Sequence, residues 1–178
     1  MKQLINIFCI LSIFIPFAGK CQSSGSKLVN LYLPSLFLID IEPKQNITMN
    51  FSAPSEAGNK ISAPLSNASK WLNYSSAIFE GGNARSIFAS INQVIPGVDI
   101  QVQAANMLSA GHGVTGISTG KITLNTSPKA ILTGIGGAFT GNGINNGHQL
   151  TYTLKTNTYA NLSAITNSVI LIVFTISE

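Results

Sequence analysis

The stretch 149-QLTYTLK-155 alternates Leu150, Tyr152 and Leu154 with Thr151, Thr153 and Lys155. Successive side chains of an extended chain point to opposite faces, so the stretch has one dry face and one wet face and reads as a strand half buried in a sheet. The same period recurs in 98-VDIQVQA-104, where Val98, Ile100, Val102 and Ala104 oppose Asp99, Gln101 and Gln103. It recurs again in 46-NITMNFSA-53, with Ile47, Met49 and Phe51 on one side. Weaker strand signals lie at 36-LFLIDI-41, 71-WLNYSSAI-78, 86-SIFASI-91, 121-KITLN-125 and 130-AILTGI-135. Turn-forming residues separate them: Pro54, Gly58 and Pro64, then Gly81-Gly82, Pro96-Gly97, Gly111 to Gly120, and Ser127-Pro128. Helical periodicity is nearly absent, apart from one short turn expected at 159-YANLSAI-165. Short strands between such turns predict an all-β chain, an immunoglobulin-like antiparallel β-sandwich of seven to nine strands.

Upstream of the opening stretch lies 137-GAFTGNGINNG-147, rich in glycine and asparagine, the residues that tolerate positive φ. It reads first as a tight connection into the strand and second as a recognition tip. In the second reading Asn142, Asn145 and His148 are candidate ligand contacts. Trp71 joins them as the aromatic platform, because it falls on the strand face opposite Tyr74. Tyr74 and Tyr152 align with Leu72 and Leu150 and belong to the core.

The last strand breaks the alternation. In 168-SVILIVFTIS-177 both faces are apolar through Phe174, with Val169, Leu171 and Val173 on one and Ile170, Ile172 and Phe174 on the other. One face lines the core. The other needs cover, since a bare apolar strand templates aggregation. Cover comes either from a loop of the same chain, such as 53–69, or from another subunit, and Ile170, Ile172 and Phe174 are the candidate assembly surface. Residues 26–35, with Leu28, Leu31, Leu33 and Pro34, read as a donated N-terminal strand or as the domain's own first edge.

Charged residues make up 9 % of the 178-residue chain, against ~25 % in an ordinary soluble domain. Lys2, the apolar run 4-LINIFCILSIFIPF-17 and 18-AGKCQSS-24 have the layout of a secretory signal, with cleavage expected after Cys21. Lipid attachment at Cys21 is the rival, disfavoured by Lys20 before it. The expected organisation is therefore a signal peptide over 1–21 and one domain over 22–178. That domain would be secreted to the periplasm or outer cell surface, with no transmembrane span in the mature chain. After cleavage eight basic residues face six acids, and the basic residues are scattered, so nucleic acid is not an expected partner. Both cysteines fall within 1–21, which leaves the core to hold the domain without a disulfide.

The catalytic signals are weak. The run 111-GHGVTG-116 matches a dinucleotide-binding fingerprint in letters, but β character follows it where a helix is required. Two histidines, His112 and His148, lie far apart, and Asp40 and Glu42 read as a solvated strand end, so no metal site is expected. No G-x-S-x-G elbow exists, and nothing marks two acids as a facing pair. The expectation is a protein that is not an enzyme, with no cofactor and no catalytic residue.

The combination of 38-LIDIEP-43, 70-KWLNYSSAI-78, 129-KAILTGIGGAFTGNGINNGHQLTYTL-154 and the closing 173-VFTIS-177 resembles small secreted bacterial β-sandwich proteins. The resemblance is to fimbrial-subunit-like proteins, to the spore coat protein U type of secreted domain, and to uncharacterised surface proteins of the Bacteroidetes group. It implies a structural or adhesion subunit at the cell surface, acting through strand edges by self-association or with other surface proteins. A carbohydrate- or surface-binding module, with a glycan as partner and Trp71 as platform, is the alternative.

Overall fold

A computed structural model describes residues 24–107, 111–166 and 168–178. The expected signal peptide over 1–21 lies outside the described residues. Residues 24–33 have no regular secondary structure, and Leu28, Val29, Leu31, Tyr32 and Leu33 in them are 75–98 % exposed.

The described residues of 34–178 form a β unit with nine strands. These are β1 (Leu36–Glu42), β2 (Asn67–Ala77), β3 (Arg85–Ile91), β4 (Val98–Ala104), β5 (His112–Ser118), β6 (Lys121–Thr123), β7 (Lys129–Phe139), β8 (His148–Thr156) and β9 (Ile172–Ser177). A single turn of 3-10 helix at Tyr159–Asn161 takes the place of the expected short helical turn.

Every strand pairing is antiparallel, and the register resolves into two layers. One layer runs β6-β4-β8-β2-β1 and the other β9-β3-β7-β5. They share a seam where Ser75 and Ser76 of β2 pair with Phe139 and Ala138 of β7. Alternation puts Leu72 and Tyr74 of β2, Ile100 and Val102 of β4, and Leu150 and Tyr152 of β8 inside. They meet Ile87 and Ala89 of β3 and Ile131, Leu132 and Ile135 of β7 in one cluster. Fully burying one such aliphatic side chain contributes about 1.5–3 kcal/mol, so this cluster is the main source of stability in a unit with no disulfide.

Sequence and structure differ at four places. The alternating run 46–53 is extended but forms no strand beyond an isolated bridge, Ser52 to Ser62. Its apolar face is used, since Ile47 and Met49 pack on the core. The buried Lys70 ammonium fixes the entry to this segment by donating to the carbonyls of Pro43 and Gln45. The glycine-rich run 111–120, read as a turn, contains β5. The strand at 130–135 extends to Phe139, and register shifts against β3 let the consecutive residues Ile131 and Leu132 both turn inward, which hid its period.

The fourth difference concerns β9. Ile170, Ile172, Phe174 and Ile176 pack against the core, so the expected assembly surface of Ile170, Ile172 and Phe174 faces inward. The open row is the other one, with Val169, Leu171 and Val173 exposed by 79 %, 59 % and 39 %. Both rows are apolar through Phe174, and beyond it the inward row continues with Ile176 and the open row with Thr175 and Ser177, as the pairing of β9 with β3 requires.

Candidate functional site

The loop 140–147 is not a hairpin. β7 pairs with β2 at Ser76 and Ser75, the Thr140 amide donates to the Tyr74 carbonyl at 3.1 Å, and β8 resumes the pairing at Leu72, Trp71 and Lys70. The chain thus follows one edge of β2 from one layer into the other, and the loop is an insertion in that run opposite Asn73. The expected tight connection is corrected to a crossing between layers. It needs glycine and asparagine because the backbone must leave the ladder and return within eight residues.

Asn73 holds the insertion. Its Nδ2 donates to the Asn146 carbonyl at 2.7 Å, and its Oδ1 accepts the Gly143 amide at 3.0 Å. Asn146 in turn donates from Nδ2 to the Asn142 carbonyl at 2.7 Å. Thr140, fully buried, accepts the Tyr74 amide on its hydroxyl at 2.9 Å. Gly147 has φ +71°, and a Cβ there would stand 2.2 Å from the Leu72 carbonyl oxygen. Asn142 and Asn145 are exposed at the tip, with Asn145 at φ +67°.

His148 is fully buried and points into the core side of β8, away from that tip. Its Nδ1 lies 2.8 Å from the Ala105 carbonyl, which only accepts, so Nδ1 carries a proton. Its Nε2 lies 3.2 Å from the Tyr74 hydroxyl oxygen, and that hydroxyl donates its one proton to the Thr115 carbonyl. The two rings stack at 5.7 Å. Burial pushes the imidazole below its ordinary pKa, and hydrogen bonds to the Ala105 and Thr115 carbonyls offset part of that shift. Burial also raises the Tyr74 phenol well above its ordinary range. The pair ties β8 and β2 to the middle of β5 and to the residue that follows β4, and no solvent reaches the ring. His148 is a structural polar group rather than a ligand contact.

Trp71 is half-buried and lies on the same outward face of β2 as Asn73, so it neighbours the loop. Trp71 thus shares a face of β2 with the residue that holds the loop, whereas His148 lies on the core side. Among the described residues no group of three metal-ligating side chains occurs. The opposite end of the sandwich carries a shallow depression of about 350 Å³ lined in part by Ile95, Val98, Asp99, Thr123, Asn125 and Asn157.

Sequence reasoning missed Asn73 and Arg85. An asparagine within a strand is disfavoured, and Asn73 in the middle of 71-WLNYSSAI-78 was the available signal. Arg85 is buried and joins the first and last strands of the β unit. It donates to the Leu36 carbonyl at 2.7 Å, to the Ser35 hydroxyl at 3.0 Å and to the Glu178 carboxylate at 2.9 Å, and it lies over the Phe37 ring. Nothing in its local sequence marks it.

No family model, no curated protein and no solved structure matches this chain.

Proposed function

We propose that the protein is a non-enzymatic secreted or cell-surface structural and adhesion subunit, and that it associates with a second copy through the open edge of β9. The support is a contrast among the four strand edges that are unpaired among the described residues. Natural sheets blunt such edges with charge, proline, bulges or short length. β1 carries Asp40 and Glu42 and ends at Pro43. β5 carries His112, positive-φ Gly113 and Gly116, and a register shift. β6 is three residues long and begins with Lys121. β9 has none of these devices. It is in unbroken register with β3 from Ile172 to Ser177, and its exposed Val173 continues the row of Val169 and Leu171 in the segment just before it. Strand addition there extends the sheet through main-chain hydrogen bonds, with the alternate side chains setting register.

Size-exclusion chromatography with light scattering tests the reading. Wild type is expected to run above monomer mass, and V169T/L171T/V173T as a monomer with unchanged melting temperature, because these side chains leave the core untouched. A monomeric wild type, or a variant that assembles as wild type does, overturns it.

A second reading, a glycan- or surface-binding module, is favoured by one observation: Trp71 and the Asn73-held loop share a face of β2. A glycan array separates the two, since Trp71→Ala should abolish a signal that V169T/L171T/V173T leaves intact.

A further inference from the structure

The loop contains the chain's two Asn-Gly dipeptides, Asn142-Gly143 and Asn146-Gly147. In such a dipeptide the glycine amide nitrogen loses its proton and attacks the asparagine Cγ. The new N–Cγ bond closes a succinimide, and the side-chain nitrogen leaves as ammonia. Water then opens the ring to aspartate or isoaspartate. The balance is one amide and one water giving one carboxylate and one ammonium ion, with no oxidant or reductant. Glycine favours the step because no Cβ crowds the attacking nitrogen.

The structure holds the two dipeptides differently. Asn146 is fixed at both ends. Its Nδ2 donates to the Asn142 carbonyl and its own carbonyl accepts from Asn73, both at 2.7 Å. The nitrogen that would attack it belongs to Gly147, which is buried with its Cα against the Leu72 carbonyl. Bringing that nitrogen to Cγ would require the Asn146 side chain to break its bond and solvent base to reach a buried amide. Asn142 has neither restraint. It is exposed, and its side chain makes no hydrogen bond among the described residues. Gly143 stands at φ +90° with open space on its Cβ side. One interaction opposes attack: the Gly143 N–H donates to Asn73 Oδ1 at 3.0 Å, which keeps the proton on the nitrogen and the lone pair away from Cγ.

We propose that Asn142 is a site of intramolecular deamidation, that Asn73 sets its rate through the Gly143 amide, and that Asn146 is its protected twin. The product places a carboxylate at the exposed tip of the loop. A chain with only six acids thereby gains one more with time at the place where its surface is otherwise amide and glycine.

The test incubates the full chain at mildly alkaline pH and maps its peptides for the amide-to-acid mass change and for isoaspartate. A parallel sample in concentrated urea gives the unfolded rates. In urea the two dipeptides should convert alike. In the native protein Asn142 should convert while Asn146 lags at least about tenfold, the effect of two restraining hydrogen bonds of ordinary strength. Asn73→Ala should speed conversion at Asn142 about fivefold, the effect of losing one such bond. If Asn73→Ala does not fold, the native-to-urea ratio of the two sites in wild type decides alone. Equal native rates at the two sites overturn the proposal. So does a native Asn142 that stays intact while the urea sample converts, or a folded Asn73→Ala protein that converts at the wild-type rate.

Discussion

The runs 111-GHGVTGISTG-120 and 141-GNGINNG-147 look alike on paper, each dense in glycine and polar residues. One is a strand and the other an insertion between strands. In the first, glycine makes room: a Cβ on Gly111 would stand 2.3 Å from the Phe139 carbonyl oxygen, and one on Gly113 would stand 2.2 Å from that of Gly137. β5 therefore lies against β7 with backbone where side chains would otherwise be. In the second, Gly143 faces open space, a Cβ on Gly141 would meet the Asn146 side chain at 3.0 Å, and Gly147, at the return to the ladder, is pressed on backbone. Glycine density thus reports two different physical needs, close approach and chain reversal, and only tertiary contact tells them apart.

Alanine substitution sharpens that contrast. Gly147→Ala and Gly113→Ala combine positive φ with a backbone clash, and each should cost about 3 kcal/mol or more, or prevent folding, as read by urea unfolding. Equal mildness at both would break the claim that each marks a close approach. Asn73→Ala removes the two hydrogen bonds that hold the insertion and should cost about 2 kcal/mol, with faster hydrogen exchange confined to 140–147. Gly137→Ala is the counterweight. Its Cβ meets nothing within 4 Å and its φ is not positive, so stability should stay within about 0.5 kcal/mol of wild type.

The histidine at the end of the insertion adds a dependence on pH. Its folded pKa lies below the ordinary value of 6.5, because burial disfavours the cation. The unfolded chain therefore takes up the proton first as pH falls. Its contribution to stability is whole above pH 6.5 and declines as pH drops below that value towards the lowered folded pKa. Urea titrations across that window should show the decline in wild type and a flatter profile in His148→Gln.

Most of the strand content was legible because the period of two is a local signal. The stretches 98–104 and 149–155 became β4 and β8 almost residue for residue. The run 46–53 had the same period without the outcome: alternation records which side chains meet the core, and Ile47 and Met49 do so without a ladder partner. β5 was invisible because its fitness to pair lies in the absence of side chains. The candidate site was legible in its parts and not in its arrangement. Asn142 and Asn145 lie exposed in the loop that Asn73 holds, on the face of β2 that also carries Trp71, whereas His148 turns inward, since strand parity places it with Leu150 and Tyr152. The roles of Asn73 and Arg85 rest on partners 49 or more residues away, which no local pattern encodes.

The seam along β2 has a consequence for how the unit comes apart. β2 carries β1 on one edge and, on the other, β8 followed by β7, so each layer borrows the same strand. Removing β2 takes the β1 and β8 ladders from one layer and the Ser75–Phe139 and Ser76–Ala138 pairs from the other, so the two layers are coupled through it. Denaturation should then be a single cooperative event, and the slowest-exchanging amides should cluster on β2 and the facing ends of β7 and β8 rather than at the centre of either layer.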